Sequence, residues 1–274
     1  MGDGARKIAV VTGAGGGIGR RIAARIAKRD MRVALVSRSR SHLDEITAEI
    51  AAAGGEAIGI PADVGSPQSV AALKSEVESR LGVPSVLINA AGVFGPIELA
   101  WKTNPEAWIE TLMVNTVGPY LTTRAFVESM IAGGWGRIIS ITSAAALHEP
   151  GPTNSAYGVS KAALNQFTRH LAAELAGTGV TANVIHPGDV KTDMWRDIRD
   201  GVETLGPIAL RYREWVEWVE QTGGDDPEKA SDLVETLLGP RGDVINGRFL
   251  WIKDGLQSPI PSWGDFKPYE AWQD

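Results

Sequence analysis

The chain has 274 residues, with 27 Lys and Arg against 33 Asp and Glu, a net charge of −6, and no cysteine. That balance argues against a basic nucleic-acid module, and the missing thiols exclude disulfides, zinc-thiolate sites and a cysteine nucleophile. With 43% hydrophobic and 22% charged residues, the composition is globular and the length supports a large buried core.

The four histidines are scattered, so no metal site is expected. No apolar run approaches the roughly 18 residues of a membrane span. The opening MGDGARKIAVVTGAGGG breaks into glycines where a signal peptide would carry its apolar stretch. The expectation is a cytoplasmic protein with neither membrane nor nucleic-acid partners.

Taken in chain order, Ile8 to Thr12 is a continuous apolar run, as a strand covered on both faces requires. A helix follows, with Ile18, Ile22, Ala23 and Ile26 on one side and Arg20, Arg21, Arg25 and Lys28 on the other. Arg32 to Ser37 reads as a second strand. Ser41 and Asp44 form a capping-box signature that opens a helix closing at Gly54 and Gly55. Ala57 to Ala62 is a third strand, and Ser66 with Pro67 starts the next helix. Further strands fall at Val86 to Asn89, Arg137 to Ile141, Val180 to His186 and Arg248 to Ile252. Helices are expected from Pro105 to about Ile131 and from about Ser155 to Ala176.

This alternation predicts an α/β fold: a single doubly wound domain over residues 1–274, with seven parallel strands and helices on both faces. Ligands in such sheets lie beyond the carboxyl ends of the strands. Residues 190–224 interrupt the alternation at a length that suits a lid. Within them Tyr212, Trp215, Val216 and Val219 lie at helical spacing, which predicts one short amphipathic helix.

The first strand runs straight into Gly13-Ala14-Gly15-Gly16-Gly17-Ile18-Gly19 and then a helix. Glycines let the backbone turn sharply and approach a pyrophosphate, whose charge is met by free N–H groups at the helix N-terminus. At the end of the second strand an NAD site normally places an acid for the ribose hydroxyl; here stand Ser37 and Arg38. A carboxylate would repel a 2′-phosphate, whereas Ser37 can donate to one and Arg38 can make a bidentate contact. The pair favours NADP(H). Arg38 reads equally as a solvated loop cation, which leaves NAD(H) open.

In Tyr157-Gly158-Val159-Ser160-Lys161 the first and last residues share one helical face. A free tyrosine titrates near 10, and a neighbouring cation lowers that value toward working range. The pattern alone is also that of a surface pair. Ser143 lies fourteen residues before Tyr157, just past the fifth strand, where its hydroxyl can polarise a carbonyl. Asn115 falls inside a long helix, where Asn is otherwise unfavourable.

The loop TGAGGGIG and the set Asn115, Ser143, Tyr157 and Lys161 resemble the cofactor loop and the Asn-Ser-Tyr-Lys tetrad of the short-chain dehydrogenase/reductase family. The resemblance spans roughly residues 6–255. It implies a Rossmann-like fold and an oxidoreductase moving hydride between nicotinamide C4 and a ketone or secondary alcohol. In that likeness Tyr157 is the general acid/base and Ser143 orients the carbonyl. Lys161 binds the nicotinamide ribose and lowers the Tyr157 pKa, while Asn115 holds a relay water. The likeness also gives the cofactor Gly13, Gly16, Gly17, Ile18 and Gly19 at the diphosphate, Asp63 and Val64 at the adenine, and Asn89, Ala90 and Gly92 after the fourth strand. Pro187, Gly188 and Val190 follow near the nicotinamide, with Thr192 at its carboxamide. It further implies a homo-oligomer, a dimer or tetramer, built on the helices containing Asn115 and Tyr157. Gly16 stands where many NADP-using members carry a second basic residue, so an NAD-linked alcohol dehydrogenase is the alternative enzyme. A non-catalytic dinucleotide sensor with a partner-binding lid is the alternative from another class, and the intact tetrad argues against it.

For the substrate, Trp195 and Trp215 in the lid and His148 between Ser143 and Tyr157 are candidate contacts, with Ser143. Trp215 reads equally as glue between lid and body, and His148 as a solvent-facing loop residue. Residues 193–232 hold eleven acids against five bases, an acidic lid that favours a neutral ketone or alcohol over polyanions and acidic carrier proteins. The tail at 256–274, with Pro259, Pro261, Trp263 and Trp272, is expected to pack across a neighbouring subunit.

Overall fold

A computed structural model describes residues 6–203 and 205–252; the tail at 256–274 lies outside the described residues. The strands are β1 (Ile8–Thr12), β2 (Arg32–Ser37), β3 (Glu56–Pro61), β4 (Val86–Asn89), β5 (Gly136–Ile141), β6 (Val180–His186) and β7 (Phe249–Trp251). They form one sheet in the order β3-β2-β1-β4-β5-β6-β7, and every neighbouring pair is parallel. The helices are α1 (Gly17–Ala27), α2 (Arg40–Ala52), α3 (Pro67–Arg80), α4 (Pro105–Leu112), α5 (Gly118–Ala132), α6 (Ser155–Glu174), α7 (Asp193–Val202), α8 (Leu210–Thr222) and α9 (Glu228–Leu238). This is the doubly wound, Rossmann-like α/β fold. Strand order reverses between β1 and β4, so a crevice opens there at the carboxyl ends.

The continuous apolar runs make sense because both faces are covered. Ala9 and Val11 pack with Ile22 and Ile26 of α1, Leu43 and Ile46 of α2, and Leu233 and Val234 of α9. Val10 points the other way, with Leu73 and Val77 of α3, Phe126 and Met130 of α5 and Leu171 of α6. Each fully buried side chain of this kind contributes about 2 kcal/mol.

The basic face of α1 docks on α9. Arg21 reaches Glu228 at 3.1 Å, Arg25 reaches Glu228 and Asp232 at 2.7 Å each, and Arg29 reaches Glu235 at 2.8 Å. This corrects the picture of an acidic lid: Glu228 and Asp232 lie on α9 and are paired with arginines of α1. Within the lid Arg196 pairs with Asp193, and Arg199 pairs with Asp200 at 2.8 Å.

Two helix starts also differ from expectation. The N-cap of α2 is Ser39, whose Oγ accepts the His42 N–H at 3.4 Å, and Ser41 instead meets Ser39 Oγ at 3.0 Å. Helix α7 was not expected. Thr192 caps it by accepting the Trp195 N–H at 3.3 Å, and Trp195, Ile198 and Val202 pack with Ala209, Val216 and Val219, giving the lid a small core of its own. The expected long helix from Pro105 is continuous, but Met113–Val117 form a π-helical turn between α4 and α5. Such single-turn bulges cluster at functional sites, and this one carries Asn115.

Among the described residues no helix is long and apolar enough to cross a membrane, and no group of His, Asp or Glu is placed to hold a metal ion.

Candidate active site

The glycine loop lies where β1 ends beside β4. Thr12 Oγ1 accepts the N–H groups of Ala90 and Ala91 at 3.1 and 3.2 Å, which ties the two strand ends together. Gly13 has φ +67°, and a Cβ there would lie 2.6 Å from the Ala90 carbonyl oxygen; one at Gly19 would run into the Gly13 carbonyl. Helices α2, α3, α4, α6 and α7 each carry a side-chain N-cap. Helix α1 starts at Gly16 with none, so its first-turn N–H groups, from Gly17, Ile18 and Gly19, are left for an outside acceptor.

The start of α7 faces the same spot. A Cβ on Gly17 would sit 3.5 Å from the Thr192 methyl, and one on Gly16 would sit 3.4 Å from Asp193 Oδ2. Two helix N-termini therefore converge on a cradle that any side chain would fill, and this suits a diphosphate. The residues present fit a nicotinamide dinucleotide.

Around the adenosine end, a Cβ at Gly15 would come 2.9 Å from Ser37 Oγ, so that hydroxyl abuts the loop; it donates to the Ser39 carbonyl at 3.2 Å. The Arg38 side chain is 67% exposed and holds Glu110 loosely at 3.7 Å, so its guanidinium is free to turn toward a ligand. Asp63 is fixed in a turn, its Oδ1 accepting the Gly65 N–H at 2.9 Å, and Val64 is buried against Gly118. Asn89 is a buried brace: it donates to Ser140 Oγ at 3.3 Å and accepts from Thr122 Oγ1 at 2.7 Å. Gly92 leaves room beside Asn115 and Lys161, since a Cβ there would lie 3.3 Å from Asn115 Oδ1 and 3.6 Å from Lys161 Nζ.

Three of the tetrad residues, Ser143, Tyr157 and Lys161, line one cleft of about 900 Å³, and Asn115 is buried behind its wall. Tyr157 sits half-buried in the first turn of α6, where its N–H is accepted by the N-cap Asn154 at 3.3 Å. Ser143 stands beside its phenol on the cleft wall, and the Ser143 Oγ accepts the Ala145 N–H at 3.2 Å. The buried Lys161 ammonium donates to the Ile141 carbonyl at 2.9 Å and lies 5.6 Å from the Tyr157 ring centre. Asn115 is fully buried, and its carboxamide bonds to Val93 and Ser160. The contact that the likeness gave to a relay water is thus accompanied by a structural task that the sequence did not suggest.

One expectation is reversed. Burial pushes the Tyr157 phenol up to about 12; the neighbouring Ser143 hydroxyl pulls the other way, and Tyr212 and the Asp189 carboxylate add to the rise. Burial also takes the Lys161 ammonium down to about 8. The ammonium points at a backbone carbonyl rather than at the phenol oxygen, so desolvation outweighs any help it gives. At neutral pH this Tyr157 is protonated, a donor.

The turn after β6 is locked from the far end of the lid. The Asp189 N–H donates to Asp225 Oδ2, and the Asp225 N–H donates to the Asp189 carbonyl, both at 2.9 Å. Gly188, at φ +82°, has no room for a Cβ beside Asp225. Pro187 and the buried Val190 flank this turn on the cleft wall.

At the substrate end, Phe94 lies 4.7 Å from Tyr157 and 5.5 Å edge-on from Tyr212. Trp195 is only 5% exposed and packs in the lid core, between Lys191 and Arg199 at 5.5 and 5.3 Å, and it also borders the cleft. Trp215 is half-buried against that core and lines the cleft. His148 is exposed at the mouth, 6.1 Å from the Trp251 ring. Phe94, Tyr212 and Asp225 were not foreseen as site residues. The aromatic Phe94 just past the Asn89–Gly92 segment was a signal available for it; nothing local marked Asp225.

Residues 7–203 match the sequence family described as short chain dehydrogenase. A short-chain type dehydrogenase/reductase of Picea abies is 38% identical over 257 residues, 91% of this chain and 92% of its own. Among solved structures, actinorhodin polyketide ketoreductase with NADPH has a TM-score of 0.83 at 29% identity, covering 93% of this chain and 99% of that one. NAD+-bound xylitol dehydrogenase has a TM-score of 0.82 at 26% identity, covering 91% and 99%. Likeness of that extent in sequence and backbone, around a cradle shaped for a dinucleotide, places the chain in the short-chain dehydrogenase/reductase family, oxidoreductases of carbonyl and alcohol groups.

Proposed function

We propose that the protein is an NADP(H)-preferring carbonyl reductase in which Tyr157 protonates the oxygen of a neutral ketone. The observation that carries this reading is the meeting of Ser143, Tyr157 and Lys161 in the wall of one cleft that also holds the glycine cradle. When bound, the reduced nicotinamide supplies the hydride that the carbonyl carbon accepts. The Ser143 hydroxyl orients the carbonyl oxygen beside the phenol, and Tyr157 gives its proton to that oxygen as charge develops. Lys161 contributes a positive charge 5.6 Å from the Tyr157 ring centre, buried at the cleft wall. Oxidation of an alcohol would use the same groups in reverse, with Tyr157 taking the proton.

Ser37 and the loosely held Arg38 support NADP(H), whose 2′-phosphate they suit. The NAD+-bound relative and the acid Asp193 beside Gly16 favour a second reading, an NAD-linked dehydrogenase. Phe94, Tyr212 and Trp215 offer an apolar, aromatic wall, and together with the likeness to a polyketide ketoreductase they point to a bulky, ring-bearing ketone. Ile109, Tyr120 and Val159 are 55%, 47% and 45% exposed on α4, α5 and α6, apolar surface that supports a homo-oligomer, a dimer or tetramer, built on these helices. The test is loss of the reduced-cofactor absorbance with a panel of carbonyls; tight NADPH binding without turnover of any of them favours the sensor.

A further inference from the structure

Ser143 sits between two anchors. On one side the Thr142 N–H donates to the Ile185 carbonyl of β6 at 2.9 Å, and Thr142 Oγ1 donates to Asn165 Oδ1 of α6 at 2.5 Å. On the other side the Ala144 N–H donates to Nδ1 of His186, the last residue of β6, at 3.3 Å. A backbone N–H can only donate, so this ring nitrogen carries a lone pair, and the proton of the neutral imidazole is on Nε2. His186 is 8% exposed. Its ring meets Trp251, its partner in the register of β6 and β7, edge-on at 4.9 Å, and it borders the same cleft as Ser143.

The two N–H groups that follow Ser143 thus have separate acceptors, His186 Nδ1 for Ala144 and Ser143 Oγ for Ala145. They open the 3₁₀ turn Ala144–Ala146, which Ser143 caps. An Oγ that accepts a backbone N–H keeps its own hydroxyl proton to donate. Were Nδ1 removed, the part-buried Ala144 N–H would lose this acceptor, and the turn beside Ser143 would be free to shift.

We propose that His186 is a positioning residue for carbonyl reduction: its neutral imidazole, by accepting the Ala144 N–H, fixes the turn that aims the Ser143 hydroxyl at the substrate oxygen. The proposal rests on the reading of Ser143 as the group that orients the carbonyl.

Two variants separate this role from packing. His186→Leu fills the space beside Trp251 without an acceptor. His186→Asn carries its amide oxygen two bonds beyond Cβ, where histidine carries Nδ1, and so keeps the acceptor with a smaller side chain. With the ketone that the wild-type protein reduces, His186→Leu should lower kcat about tenfold or more, because small misplacements of reacting groups are costly, with the NADPH KM unchanged. His186→Asn should recover most of that loss. A packing role predicts the reverse order, since leucine is the better filler. Adding His186→Leu to Ser143→Ala should cost nothing further, because the hydroxyl through which His186 acts is already gone. Wild-type kcat in His186→Leu, no recovery in His186→Asn, or additive losses in the double variant overturns the proposal. If the wild-type protein reduces no carbonyl at all, the proposed function fails, and nitrogen NMR shifts of the four histidines still decide whether the clamp exists. At neutral pH a proton on Nε2 alone is expected for His186, and a proton on Nδ1 overturns the clamp.

Discussion

The Asn115 carboxamide grips Val93 by both of its backbone groups, Oδ1 accepting the N–H at 2.9 Å and Nδ2 donating to the carbonyl at 2.8 Å. Its other amide proton goes to Ser160 Oγ at 3.0 Å. One side chain in a π-helical turn therefore joins the segment after β4 to the helix that carries Tyr157 and Lys161. In Asn115→Leu these groups lose their partners inside the protein, where each unpaired group costs roughly 1–3 kcal/mol. We expect a fall in Tm of several degrees, at roughly 2–4 °C per kcal/mol for a chain of this size, together with a loss of turnover. Asn115→Asp, which keeps the acceptor and loses the donors, should fall between. Thermal unfolding with parallel rate measurements checks this; an unchanged Tm would show that the clamp carries no weight.

Lys161 has a pH signature whose sign follows from its environment. Burial lowers its pKa from 10.5 to about 8, so between these values the unfolded chain binds more protons than the folded one. Stability therefore rises with pH across that window, and below about pH 8 the full cost of burying the ammonium is present. Lys161→Met removes the titration. Relative to wild type, the variant should be most stable near pH 7 and lose that advantage by about pH 10.5, a change of order 3 kcal/mol at 1.36 kcal/mol per pKa unit. Urea midpoints at the two pH values measure it; a difference that does not vary with pH contradicts the burial.

Much of this architecture was legible from local pattern. The runs at Ile8–Thr12, Arg32–Ser37 and Val180–His186 read as covered strands because a parallel sheet leaves no polar face to confuse the period. Glycines at 13, 17 and 19 could be placed because backbone approach leaves no other choice. The site beyond the tetrad was less legible, since its geometry depends on long-range packing. Helix α7 was missed although Thr192 and the spacing of Trp195, Ile198 and Val202 marked it. Tyr212 was read as one more residue on an apolar stripe, because the Phe94 ring it meets edge-on is distant in sequence. The direction of the Tyr157 shift was misjudged for a related reason: spacing puts Lys161 on the right face but says nothing of burial or of the Ile141 carbonyl that takes its proton.

The cofactor preference can be tested at one residue. Arg38 is exposed and only loosely paired, so Arg38→Asp should leave the fold intact. Exchanging a charge-assisted contact for a carboxylate should weaken NADPH by roughly tenfold or more, while NADH binding changes less or improves. Titrations of both reduced cofactors by fluorescence compare them; equal weakening would count against recognition of the 2′-phosphate at this residue.

The most direct measurement is carbonyl-dependent consumption of NADPH by wild-type protein and by Tyr157→Phe, with NADPH affinity determined for each. The phenyl ring keeps the contact with Phe94 and loses only the hydroxyl group. The expected result is a rate lower by roughly 10²–10⁴-fold, the scale of a lost general acid, with NADPH bound as tightly as before. A Tyr157→Phe protein that reduces the same ketone at the wild-type rate would contradict the assignment of Tyr157 as proton donor.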